Sequence, residues 1–278
     1  MRNIKIVADS SANMLELEGL DFAVAPLKIV CAQKEFVDDG ALNVADLITF
    51  FDSYKGTSRT SCPNPSDWLE AFGDAEEVFC VAITSGLSGS YNAACVAKDM
   101  YETQHAGRRV HVIDSLSAGP ELQLIVEKLR QLVLDGCSFD EMVTRIATYQ
   151  QTTGLVFMLE SLKNFAANGR VSPAVAKLAG LLGIRIVGKA SDKGTLEPLD
   201  KCRGESRSLE KIIAHLKEEG LSQGRVCIAH CANESAATRR AELITAAMPS
   251  VEVTVTSCRG LCSYYAEKGG LLVGFEKR

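Results

Sequence analysis

The strongest constraint on this chain is a recurring order: a short apolar run, a polar turn, then an amphipathic helix. Ile4–Ala8 runs into Asp9-Ser10-Ser11. Val78–Thr84 runs into Ser85-Gly86-Leu87-Ser88-Gly89 and a helical stretch reaching Thr103. Val110–Asp114 precedes Ser115 and a periodic helix over Pro120–Asp135, whose proline sits where a first-turn N–H is free in any case. Ala23–Val30 reads as a second strand, and Asn43–Ser53 and Pro65–Phe72 read as helices, the latter with Ser66 as its cap. This alternation predicts a mainly parallel sheet flanked by helices. Folds of that kind bind ligands beyond the carboxyl ends of their strands. Three such ends carry hydroxyls or carboxylates: Asp9-Ser10-Ser11, Thr84-Ser85 and Asp114-Ser115. Capping is the ordinary role of these residue types, so the coincidence marks a place rather than a chemistry.

The second half keeps the apolar runs but loses the regular order. Val156–Leu159, Arg185–Val187, Glu197–Pro198, Val226–Ala229, Val251–Ser257 and Leu271–Phe275 read as strands. Helices are expected at Glu160–Ala167, Pro173–Leu182, Gly204–Glu219 and Ser235–Ala247, and a hairpin turns at Asp192-Lys193-Gly194. No long linker interrupts the chain. The expected architecture is two closely packed α/β domains, residues 1–152 and 153–278, the first with a mainly parallel sheet and the second mixed.

Composition excludes several classes. With 46% hydrophobic and 23% charged residues over 278 positions, a large core is available and a disordered chain does not fit. A net charge of −5 argues against a fold-wide nucleic-acid surface. No run reaches the length of a membrane span, and the opening residues lack an apolar segment followed by a small-residue cleavage site. Most of the ten cysteines lie in apolar runs, where a free thiol packs as a small hydrophobe. A cytoplasmic, reducing setting is therefore expected.

Several motifs invite chemistry. In Gly86-Leu87-Ser88-Gly89-Ser90, Ser88 stands between a strand and a helix, as a hydrolase nucleophile would. A glycine two places after the serine is absent, and none of the four histidines is marked as its base. Ser85 and Ser88 nevertheless define an alternative reading, a small-molecule hydrolase or phosphoryl-transfer enzyme. Gly183 to Lys189 spells most of a P-loop, but its intervening residues are apolar and β-branched, as in a strand. Cys227, Cys231, Cys258 and Cys262 have looser spacing than structural zinc sites, so no metal is expected. Gly169-Arg170 and Lys201-Cys202-Arg203 bring cations to turns, where they could meet an anion or a partner.

Taken together, these segments resemble the DegV family of bacterial fatty-acid-binding proteins. Asp9-Ser10-Ser11 is similar to the family's D-S-T/S start, and Thr60-Ser61-Cys62-Pro63 to its T-S-Q-P. Thr84 to Tyr91 resembles S-S-x-L-S-G-T-Y, and Val112 to Ser115 resembles V-I-D-S. Leu159 to Ser172 resembles L-x-x-L-x-x-x-G-R-I-S. The resemblance implies a carrier with no cofactor: a long-chain fatty acid lies between the domains, its tail in an apolar tunnel. Its carboxylate would be held by Ser85, Thr60 and Ser61. A separate fatty acid kinase subunit would phosphorylate it, with Arg170 and Arg203 facing that partner or the phosphorylated head group. Transient contact with a membrane surface fits such a carrier. Cys62 stands where the family has Gln, and Tyr265 is nearest to a family His. Arg59, next to Thr60, offers a guanidinium to the same carboxylate.

Overall fold

A computed structural model describes residues 3–179 and 183–277 of the chain. In chain order, the first half comprises β1 (Ile4–Asp9), β2 (Asp21–Ala25), β3 (Lys28–Cys31), β4 (Glu35–Val37), α1 (Val44–Ser53), β5 (Ser58–Ser61), α2 (Pro65–Phe72), β6 (Glu77–Ala82), α3 (Ser90–Gln104), β7 (Arg109–Asp114), α4 (Pro120–Leu134) and α5 (Phe139–Gln150). The second half comprises β8 (Thr153–Leu159), α6 (Lys163–Ala167), α7 (Pro173–Ala179), β9 (Ile184–Ala190), β10 (Leu196–Arg203), α8 (Glu205–Glu218), β11 (Gly224–His230), α9 (Glu234–Ala247), β12 (Val251–Ser257), α10 (Gly260–Ala266) and β13 (Leu271–Glu276).

The expected parallel sheet is present, in the order β2-β1-β6-β7. Period-two alternation splits its side chains between two helical layers. Ile6, Phe79 and Ile113 pack with Ile125 and Leu129 of α4 and Met142 of α5, while Val7, Cys80 and Val110 pack with Trp68, Phe72 and Tyr101 of α2 and α3. The second sheet is mixed, in the order β10-β9-β8-β13-β11-β12, and only β11 and β12 run parallel. One of its faces, with Val156, Met158 and Val273, buries against Leu209 and Ile212 of α8 and Ile244 of α9. Its other face, with Leu155, Phe157, Leu159 and Leu272, looks toward the first half.

Several local expectations are corrected. The strand expected over Ala23–Val30 is two strands in different sheets. Pro26 lacks an N–H for the ladder, so β2 ends and β3 starts a third sheet, antiparallel, in the order β4-β3-β5. Thr60 and Ser61 belong to β5. The cap of α2 is Asn64, not Ser66: its side chain accepts from Ser66 and Asp67 N–H, and Asp67 accepts from Asn64 N–H in return. The helix expected from Glu160 starts at Lys163, because Glu160 turns aside to bind Arg185 (Nε to Oε1, 3.0 Å). Of the helix expected over Pro173–Leu182, the last three residues lie outside the described residues. Among the described residues no helix is long and apolar enough to cross a membrane.

The α8–α9 layer holds one misfit. Arg240 is fully buried, its Nη1 donates to the Leu209 carbonyl, and its Nε and Nη2 have no partner. Burial pushes its pKa down to about 9. An unpaired buried cation costs more than an apolar side chain of similar size, so Arg240→Met is expected to stabilise the fold by about 1–3 kcal/mol. The folded guanidinium loses its proton more easily than the unfolded one, so stability attributable to this group rises as pH climbs through about 9. In paired thermal melts, the advantage of the Met variant should therefore shrink above that pH. A variant less stable than the wild type at neutral pH would refute the assignment.

Candidate functional site

Between the inward face of the mixed sheet and the first half lies a partly open cavity, which together with its mouth spans about 800 Å³ of atom-free space. Its walls are mainly aliphatic and aromatic: Leu155, Phe157 and Leu159 from β8, Ile83 after β6, and Leu261 and Leu272 from the chain's end. Thr60, Arg170 and Tyr265 meet at one end of the lining, and Thr84, Ser117 and Thr195 add hydroxyls elsewhere along it.

That end is assembled from four segments. Alternation along β5 turns Thr60 inward and leaves Arg59 and Ser61 exposed on the opposite face. The Thr60 and Tyr265 hydroxyls are 2.7 Å apart. Tyr265 projects from α10, and its ring packs against Phe165 of α6 with centroids 4.6 Å apart. Asn168, just past α6, accepts from Thr60 N–H (3.1 Å) and donates to the Tyr264 hydroxyl (3.0 Å), which lies 2.8 Å from Ser58 Oγ. Arg170 reaches across to the 84–89 turn, where its Nε donates to the Leu87 carbonyl at 3.0 Å. Burial raises the Tyr265 phenol above its ordinary pKa, opposed by the Thr60 hydrogen bond and by the positive charge of Arg170. Tyr265 therefore stays a neutral hydroxyl at physiological pH, able to donate to an anion beside the guanidinium.

The structure thus brings together Thr60, Tyr265 and Arg170, three residues singled out from sequence. The 84–89 turn lines the cavity through Thr84, Leu87 and Ser88, whereas Ser85 is exposed and lies outside the lining. Ser85 N–H donates to Asp114 at 3.1 Å. Arg203 is exposed at the far end of β10, the strand whose first residue, Leu196, touches the cavity. Ser88 Oγ accepts from Ser90 N–H (3.3 Å), and the lining contains neither a histidine nor a carboxylate that could serve as its base. Gly183 to Lys189 runs into β9. Cys231, Cys258 and Cys262 are buried in the cavity-facing core, where burial raises their thiol pKa values, that of Cys231 to about 11. Among the described residues, no group of three or more His, Cys, Asp or Glu is placed to hold a metal ion.

The strand-end cluster at Asp9-Ser10-Ser11 has a structural role. Asp9 is fully buried and accepts from Ile83 N–H (2.8 Å), Ser90 Oγ (2.7 Å) and Ser11. It fastens the ends of β1 and β6 to the start of α3. Asn164, Asn168 and Tyr264 support the polar end, yet they carry no signal of their own in the sequence.

A model of the DegV family, described as an uncharacterised protein family, matches residues 3–278. A DegV domain-containing protein of Streptococcus pneumoniae is 41% identical over 276 residues, covering 98% of each chain. Among solved structures, a DegV family protein from Eubacterium eligens loaded with heptadecanoic acid is similar at TM-score 0.97 and 43% identity, covering 99% of this chain and 100% of its own. The Streptococcus pneumoniae fatty acid kinase (Fak) B3 protein loaded with linoleic acid is similar at TM-score 0.97 and 41% identity, with both chains fully covered. A family match running nearly end to end, and relatives of this identity over the same length, establish that the chain belongs to the DegV family.

Proposed function

We propose that this protein is a fatty-acid carrier with two domains, residues 1–152 and 153–278, whose cavity holds a long acyl chain. The carboxylate sits at Thr60, Tyr265 and Arg170, and a separate fatty acid kinase subunit receives it there. The observation that carries this reading is an apolar cavity with two hydroxyls and one guanidinium at one end. Each methylene withdrawn from water contributes roughly 0.8 kcal/mol, so the tail supplies most of the affinity and the polar end sets orientation. Arg59 and Ser61 stand on the outward face of β5 at this end and Ser85 on the exposed 84–89 turn, where they are placed to meet the partner, as is exposed Arg203. The two solved relatives carrying fatty acids support the ligand class, and the kinase named for one of them supports the partner.

Native mass spectrometry with organic extraction tests the reading. One long-chain fatty acid per chain is expected, either retained from expression or taken up from oleate or palmitate. A chain that stays empty with both would overturn it. Arg170→Met removes a charge-assisted bond and should weaken binding by about 10- to 100-fold, whereas Thr60→Val and Tyr265→Phe should each cost about 5- to 10-fold. Equal affinity in all three variants would place the carboxylate elsewhere.

A further inference from the structure

The cavity has two chemically different ends. Leu155, Phe157 and Leu159 point the same way from β8, so it follows that strand for about 13 Å at ~3.3 Å per residue. Leu159 ends β8, and the chain runs from it into α6, where the Phe165 ring rests on Tyr265, so Leu159 marks the guanidinium end. At the opposite end, Leu155 follows closely on Thr153, whose hydroxyl donates to the Glu121 carboxyl at 2.8 Å.

Beyond Leu155 begins a second, polar cavity that is partly open to solvent. Leu155 and Ala190 line both cavities. Val156 pairs with Lys189 across β8 and β9, which sets Leu155 and Ala190 side by side at the boundary. The wall between an aliphatic chamber and a hydrogen-bonding one therefore includes two neighbouring side chains, one of them a single methyl. The polar chamber offers the Glu121 carboxyl, the Gln150 and Gln151 side chains and Ser191. Burial raises the Glu121 pKa, so this carboxyl holds its proton more tightly than an exposed one and gains capacity to donate.

We propose that the far end of the acyl cavity opens past Leu155 and Ala190 onto this polar chamber, so that the site accepts fatty acids carrying a neutral hydroxyl at the ω end. The inference rests on the fatty-acid reading above. A hydroxyl in mid-chain would be stranded beside Phe157 and Leu272, which pair across β8 and β13, and burial there without a partner is costly. The same group at the ω end reaches donors and acceptors. A second carboxylate is disfavoured there, because Asp114, Asp192 and Glu219 outnumber Lys189 and Lys277, and Lys189 is already held by Glu219 at 2.9 Å.

The test is a set of dissociation constants for palmitate, stearate, their ω-hydroxy forms and a stearate hydroxylated at mid-chain. At least one ω-hydroxy acid should bind within about threefold of its parent, and the mid-chain hydroxy acid about thirtyfold or more weaker. If both ω-hydroxy acids lose as much as the mid-chain one while the parents bind, the inference fails and the fatty-acid reading stands. Equal tolerance of both hydroxyl positions also overturns the inference, since chain polarity would not be sensed at the end. Failure of palmitate and stearate themselves overturns the underlying reading.

Discussion

Gly194→Ala is expected to destabilise the protein by about 2–5 kcal/mol and to weaken the fatty-acid binding proposed above. Gly194 lies at the tip of the β9–β10 hairpin with φ +68°, a left-handed conformation costing a residue with a Cβ about 1–2 kcal/mol. Space is the larger problem. A Cβ here would overlap Thr84 Oγ1 and stand 2.9 Å from Thr84 Cβ and 3.0 Å from the Leu116 Cα, with backbone on one side and a buried side chain on the other. Overpacking of that kind typically adds about 1–3 kcal/mol. Gly86 shows the same closeness from the other half, since its Cβ would lie 2.8 Å from the Lys193 carbonyl oxygen. The hairpin tip supplies its own hydrogen bonds, such as Gly194 N–H to Ser191 O (2.8 Å) and Ser191 N–H to Thr195 O (2.9 Å). It therefore meets the 84–89 turn as a rigid body and cannot yield locally. Gly107→Ala is the control: φ is +90° there, but no atom lies within 4 Å, so only the conformational cost of about 1–2 kcal/mol applies. Thermal melts that rank the two variants equally would show that the hairpin does not press on the turn.

The parts of the fold that declare themselves locally were legible in the sequence. Apolar runs such as Val78–Thr84 and periodic stretches such as Pro120–Asp135 need only their own residues to announce a strand or a helix, and β6 and α4 lie where these indicate. Elements whose cause is distant were not legible. Ser58-Arg59-Thr60-Ser61 has no apolar residue, and it becomes a strand because β3 pairs with it. The seven-residue helix α10 has no side-chain cap of its own, and its first N–H groups are satisfied by Asp38, 222 residues earlier. No local pattern could have located it, although it delivers Tyr265 to the cavity. The site divides the same way. Thr60, Tyr265 and Arg170 were indicated by motif, but a motif cannot tell which of two adjacent hydroxyls faces inward. In the 84–89 turn the tight bend after β6 buries Thr84 and exposes Ser85.

Asp38→Ala should cost about 3–5 kcal/mol and lower the melting temperature by on the order of 10 °C. Asp38 follows β4 and is fully buried, accepting from Gly260 N–H (2.9 Å) and Leu261 N–H (2.8 Å), with Arg259 Nε 3.9 Å away. Alanine leaves two buried backbone donors unsatisfied and the guanidinium without its anion. Because α10 starts at those donors, the variant should also lose fatty-acid affinity through Tyr265, and Asp38→Asn, which keeps one acceptor oxygen, should recover part of both. The pH dependence distinguishes the forms of the carboxyl. Burial, the largest influence, raises its pKa, against the backbone N–H groups of Leu261 and Gly260. The folded state thus binds this proton more tightly than the unfolded chain, and stability from Asp38 is greatest below the ordinary carboxylate range and declines as pH rises through the raised value. The deficit of the alanine variant should accordingly narrow between acid and neutral pH. A deficit that widens instead would mean that the α10 N–H groups stabilise the ionised carboxylate more than burial opposes it.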